Sequence, residues 1–110
     1  KGTMIYRVKM YEIMPERLTE FNAFFQEYLL PNQRRFGAQL IGRWVNEDRT
    51  RITAIWGYQS KEQYEHIEAE IRQTDLHKKA KLKRESLGPL FVSSKQEFWE
   101  MTGDYKLNGD

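Results

Sequence analysis

The chain contains no cysteine, which excludes disulfide frameworks, thiolate zinc sites and cysteine nucleophiles. It has no secretory apolar region and no hydrophobic run long enough to span a bilayer, so a cytoplasmic location is the default expectation. It shows neither internal repeats nor low-complexity segments. Neither sign of charge dominates: 18 Lys and Arg face 16 Asp and Glu, a net charge of +2. That balance argues against nucleic acid or a membrane as a partner.

Aromatic residues, by contrast, make up 14% of the chain while mean hydropathy is −0.82. A very polar surface must therefore enclose a core in which a few large rings supply most of the buried area. The 110 residues fit one domain and leave no room for a second core. A core of this size gives modest stability, which burial in an oligomer would raise. Lys1-Gly2-Thr3 reads as a candidate cloning remnant, residues 4–102 as the domain and residues 103–110 as a polar tail.

Along the chain, residues 4–13 alternate and are rich in β-branched and aromatic side chains, which predicts a strand. Pro15 suits the first turn of a helix and Glu16 its dipole. Leu18, Phe21, Phe25, Tyr28 and Leu29 then recur at helical spacing. Pro31 disfavours helical geometry at Leu30 and is expected to break or kink the helix there. A further turn is expected up to Phe36, with Gly37 as the stop. Residues 39–46 and 51–59 predict two strands, joined as a hairpin by Glu47-Asp48-Arg49-Thr50. Ser60-Lys61-Glu62-Gln63 is a capping box opening a helix whose buried stripe is Tyr64, Ile67 and Ile71. Another helix over about residues 75–87 is closed by Gly88-Pro89. A last strand is expected near residues 95–102.

The order β-α-β-β-α-(α)-β predicts an α+β, ferredoxin-like antiparallel sheet with helices on one face. Both faces of that sheet look apolar. Strict alternation puts Leu40 and Trp44 on one side of the second strand and Ile41 and Val45 on the other; in the third, Ile52, Ala54 and Trp56 oppose Ile55. Helices cover one side only, so a partner's sheet is expected on the second, giving a homodimer with higher assembly left open.

Several stretches carry a family resemblance. Ile5-Tyr6-Arg7-Val8-Lys9-Met10-Tyr11 is similar to the opening strand of the NIPSNAP family. Leu40-Ile41-Gly42-Arg43-Trp44 resembles its Gly-x-Trp hairpin arm, Ile55-Trp56-Gly57-Tyr58 the hydrophobic-Trp-x-Tyr strand that pairs with it, and Gly88-Pro89-Leu90 the step before the last strand. The resemblance runs from about Ile5 to Thr102 and implies a dimeric α+β barrel without a settled reaction. Animal members of the family are linked to mitochondria. This chain has no amphipathic, arginine-rich presequence, so the resemblance is to a compact bacterial-type member. The resemblance also implies a ligand site between sheet and helices.

Candidate residues for such a site are Arg43, Trp44, Trp56, Tyr58 and His77. Rings beside an arginine suit a small aromatic or anionic ligand, through stacking and bidentate hydrogen bonding. The plainer reading makes the tryptophans core and pairs Arg43 with a carboxylate at a dimer seam. His77 falls on the border of an apolar helix face, from which it could reach a cleft, while His66 points nearly opposite its helix's apolar stripe. The basic run over residues 77–84 reads as a solvated helix face balanced by the acidic helix before it. Two histidines do not make a metal site, and no cofactor is called for. No phosphate-cradling loop, Gly-x-Ser-x-Gly elbow or His-Glu-x-x-His helix occurs.

The leading expectation is a small-ligand-binding or interaction module. The alternative is an enzyme, a cofactor-independent monooxygenase or a heme-binding relative of the same fold group. Some of these carry a histidine roughly where His66 lies, and His77 could substitute for it. An interior cavity of about 300 Å³ or more, lined by Arg43 or His77, would favour a small molecule. A packed interior would turn attention to the outer surface.

Overall fold

The computed structural model describes residues 3–105. Two of the three residues read as a remnant, and residues 106–110 of the polar tail, lie outside the described residues; Gly103, Asp104 and Tyr105 are exposed. β1 (Ile5–Glu12) is followed by a 3₁₀ turn (Pro15–Arg17), α1 (Leu18–Phe24), a π-helical turn (Phe25–Leu29) and α2 (Leu30–Arg35). Then come β2 (Gln39–Val45), β3 (Arg51–Tyr58), α3 (Lys61–Arg72), α4 (Asp75–Leu87) and β4 (Ser93–Trp99). The sheet has the order β2-β3-β1-β4 with every pair antiparallel. This is the expected α+β, ferredoxin-like arrangement. No helix among the described residues is long and apolar enough to cross a membrane.

Local chemistry sets the element ends. Ser60 Oγ accepts from the Gln63 amide at 3.0 Å, as the predicted capping box requires, while the Gln63 side chain reaches back one residue further, to the Gln59 N–H at 2.6 Å. Thr74 caps α4 by accepting from the His77 amide at 3.1 Å. At the other end of α4, Gly88 adopts φ +76°, a conformation glycine takes without steric cost. Arg17 ties that end down, donating to the carbonyls of Leu87 at 2.7 Å and Pro89 at 3.1 Å. The first bond satisfies a carbonyl that the helix end leaves without a partner, and the second holds the turn just after it.

Two expectations change. Of the break or kink expected at Pro31, the break does not occur: the chain stays helical through a π turn. Leu30 keeps helical angles and its N–H bonds to the Phe25 carbonyl, five residues back. In an α-helix the Pro31 ring would collide with the carbonyl four residues earlier, and the wider π turn just before it relieves that collision. The extra residue also lets the consecutive Phe24 and Phe25 both bury, one in each half of the core.

The second change is in β2. A register shift between Leu40 and Gly42 marks a bulge, and one inserted residue reverses every later side chain. Leu40 and Val45 therefore share the helix-covered face, registered with Trp56 and Ile52. Trp44, opposite Thr53, stands on the open face, half exposed at 53%. Arg43 moves inward.

The core lies between sheet and helices. Ile13, Phe21, Phe24, Ile52, Ala80 and Leu90 form one half; Phe25, Ala38, Trp56, Tyr58, Ile67 and Ile71 form the other. Each large buried side chain contributes about 1.5–3 kcal/mol.

Candidate functional site

The inward side chains of β1 are Ile5, Arg7, Lys9 and Tyr11, registered with Tyr58, Trp56, Ala54 and Ile52 of β3. Two cations thus occupy a strand face that helices cover. Charged side chains are rarely buried without partners, and the space around these two is only partly filled. A cavity of about 230 Å³ lies here between sheet and helices, smaller than the size of about 300 Å³ expected above of a small-molecule site. Its walls include Phe21, Phe24, Phe25, Trp56, Tyr11 and Phe91, and its polar edge includes Arg7, Lys9, Arg43, Gln33, Glu68 and His77. A larger, more open groove shares Phe24, Leu29, His77 and Arg84 with it, so those four residues form the boundary between the two.

Glu68 on α3 organises one wall. Its Oε2 accepts from Arg7 Nη1 at 3.3 Å and from Gln33 Nε2 at 3.0 Å. Arg7 Nη1 also donates to the Tyr58 hydroxyl at 3.2 Å, and its guanidinium lies 5.2 Å from the centre of the Tyr64 ring. Burial pushes the Tyr58 hydroxyl up to about 12, against the opposing pull of Arg7.

Arg43 stands on β2 on the same sheet face, registered through Ala54 with Lys9. Its guanidinium sits 4.4 Å from the Phe25 ring centre and 4.9 Å from that of Phe21, and Nη1 donates to Asn22 Oδ1 at 2.5 Å. Burial lowers its pKa. Arg43 therefore pairs with an amide and two rings on the helix side rather than with a carboxylate at a seam. Burial, and then the charge of Arg7, lower the pKa of Lys9. Burial likewise raises that of Tyr11.

Of the residues singled out from sequence, Arg43, Trp56 and His77 line the cavity. Tyr58 stands behind it, holding Arg7. Trp44 does not line it, because the β2 bulge turns its indole to the other face of the sheet. His66 is exposed on α3, 3.8 Å from Glu70. Sequence reasoning missed Arg7, Lys9, Gln33, Glu68 and Arg84. For the first two the signal was available, since their alternation places both on the same strand face as Ile5 and Tyr11. Arg84 belongs to the basic run read as solvated and is indeed exposed; its guanidinium also covers the Phe91 ring at 4.6 Å.

In composition the site is an aromatic chamber with a surplus of positive charge. Arg7, Lys9, Arg43, Arg72 and Arg84 line it, against Glu68 as its one carboxylate among the described residues. It can hold a small flat molecule and neutralise an anionic group on it.

The comparisons agree with the architecture. A NIPSNAP family protein from Agrobacterium tumefaciens superposes with a TM-score of 0.76 at 21% identity, over 93% of this chain and 89% of that one. A NIPSNAP-like domain protein from Burkholderia xenovorans gives a TM-score of 0.77 at 21% identity, over 97% and 93%. A dimeric ferredoxin-like protein from an uncultured marine organism gives 0.64 at 16% identity, over 97% and 95%. No curated protein matches. The NIPSNAP family model matches residues 6–100, and the chain accordingly belongs to the NIPSNAP family.

Proposed function

We propose that this chain works as a homodimer, joined sheet to sheet, and that each protomer holds a small aromatic or anionic ligand in the chamber between its sheet and helices. The observation that carries the ligand reading is the chamber itself, where cations exceed carboxylates within walls of phenylalanine and tryptophan. Of these cations, Lys9 and Arg43 are partly buried without a carboxylate partner among the described residues, a costly state that an anion would offset.

The dimer reading rests on the open face of the sheet. Ile41, Trp44 and Trp99 are 51%, 53% and 49% exposed there, beside the half-buried Tyr6 and Ile55 at neighbouring registers. An apolar surface of this kind on a small domain suits a second copy of the same face. The structural relative described as a dimeric ferredoxin-like protein lends further support. For the enzyme alternative, the chamber's volume of about 230 Å³ lies below the range of sites for drug-sized ligands, which disfavours a porphyrin and leaves room for a single-ring molecule.

Light scattering at micromolar concentration, combined with benzoate titration by calorimetry, tests both halves. A dimer mass, a shift to monomer in Trp44→Asp and saturable benzoate binding are expected. A monomeric parent chain would contradict the dimer, and failure of benzoate and of neutral aromatics alike to bind would contradict the ligand site.

A further inference from the structure

Three residues that line the chamber each carry a buried polar atom without a hydrogen-bond partner: Arg7 Nε, Arg43 Nη2 and Gln33 Oε1. All three residues line the same cavity. Buried polar groups in native proteins are nearly always satisfied, so orphans gathered around one space describe the molecule that would complete them. Building on the ligand-site reading above, we propose that the chamber recognises a single-ring aromatic carboxylate bearing a second hydrogen-bond donor, such as a hydroxyl. The carboxylate meets Arg7 and Arg43, and the donor meets Gln33.

Each part of that description has its own source. Arg7 is 8% exposed and its Nη1 is already engaged with Glu68 and Tyr58, which leaves Nε as a free donor. Arg43 engages Nη1 with Asn22 and leaves Nη2 free. Two charged donors in search of acceptors match the two oxygens of a carboxylate. Lys9, which pairs with no carboxylate among the described residues, adds positive charge on the same wall.

Gln33 sets the other half. Its Nε2 donates to Glu68 Oε2 at 3.0 Å. Turning the amide over would set its oxygen against that carboxylate oxygen, so the orientation is fixed by the network. Oε1 is therefore an acceptor with nothing to accept. A carboxylate alone leaves it unsatisfied, whereas a hydroxyl or N–H on the ring satisfies it. The aromatic body follows from the Phe21, Phe25 and Trp56 walls, and the one-ring limit from the cavity volume of about 230 Å³.

Isothermal titration of the unaltered chain at neutral pH with benzoate, the three hydroxybenzoates, their methyl esters and benzyl alcohol tests this. One hydroxybenzoate isomer is expected to bind about 10-fold more tightly than benzoate, and at least about 10-fold more tightly than its own methyl ester. In Gln33→Met the hydroxyl preference should vanish while benzoate binding persists. Equal binding of benzoate and all three isomers, or of acid and ester, would overturn the proposal while leaving a ligand site in place. Absence of binding by every probe, benzyl alcohol included, would instead remove the ligand-site reading on which it rests. The decisive comparison uses the unaltered protein, so a variant that fails to fold does not blunt it.

Discussion

Arg7 on β1 donates from Nη1 to the hydroxyl of Tyr58 on β3, 3.2 Å away. Its direct register partner is Trp56, so the guanidinium reaches diagonally across the strand pair. Tyr58 is 1% exposed. Burial lifts its hydroxyl from 10.0 to about 12, while Arg7 pulls it down and Glu68 and Tyr64 push it further up. The unfolded chain releases this proton near 10 and the folded chain holds it to about 12. The folded state thus binds more protons in that window, and its stability falls as pH rises through it. Urea titrations of the parent and Tyr58→Phe between pH 9 and 12 are expected to converge as pH rises, the parent losing on the order of 2 kcal/mol relative to the variant. Lys9 and Tyr11 titrate in both chains and cancel in the difference. Curves that stay parallel would rule out the shifted hydroxyl.

Glu68 receives both Arg7 and Gln33 on one oxygen, and the side chains of the ion pair are 10% and 25% exposed. Removing the carboxylate leaves a buried cation alone, the costly way to break such a pair. Glu68→Ala should lower unfolding free energy by roughly 2–3 kcal/mol. With Arg7→Met added, the total should fall short of the two single losses summed. Simple additivity in denaturant melts would show that the two side chains are not coupled.

Gly42 lies beneath the indole of Trp44, and a Cβ on it would come 2.2 Å from Trp44 Cζ2. Gly42→Val must therefore swing the ring off the sheet. Because valine suits a strand better than glycine, the protomer should keep its stability to within about 1 kcal/mol. The sheet-to-sheet dimer should weaken by about 2 kcal/mol, as when a central tryptophan is lost. Sedimentation equilibrium reads this directly, and an unchanged dimer constant would place the interface elsewhere.

Thr74 joins three elements through one hydroxyl. Its Oγ1 accepts from the His77 amide at 3.1 Å and from Asn32 Nδ2 at 2.7 Å, and it donates to the Ile71 carbonyl at 2.7 Å. Thr74→Ala removes a helix cap and strands Asn32, which is 3% exposed, so a loss of about 2 kcal/mol is expected. Thr74→Ser keeps the oxygen and should recover most of it. Equal losses in the two variants would assign the effect to packing of the methyl group.

The elements were legible because local signals agreed with the fold. Alternation in β1 and β3, the Ser60 capping box and the Gly88-Pro89 stop all act within a few residues. The bulge at Leu40–Gly42 and the π turn before Pro31 were not legible, since each inserts one residue into a period whose composition is unchanged. Those two insertions govern the site. The bulge sends Arg43 inward and Trp44 outward, and the π turn presents Phe24 and Phe25 together. The inward cations Arg7 and Lys9 stood in plain alternation and needed only the question of why a covered face carries charge. Gln33 and Glu68, by contrast, come together across 35 residues and acquire meaning only in three dimensions.

The three tryptophans divide the central claim cleanly, because Trp56 lines the chamber while Trp44 and Trp99 are half exposed on the open sheet face. A two-dimensional ¹H–¹⁵N titration with 4-hydroxybenzoate follows all three indole N–H signals in one experiment. A saturable shift of the Trp56 signal, with Trp44 and Trp99 unmoved, is the expected result. A Trp56 signal that stays still while the probe is added to millimolar concentration, or shifts confined to Trp44 and Trp99, would contradict a ligand site between sheet and helices.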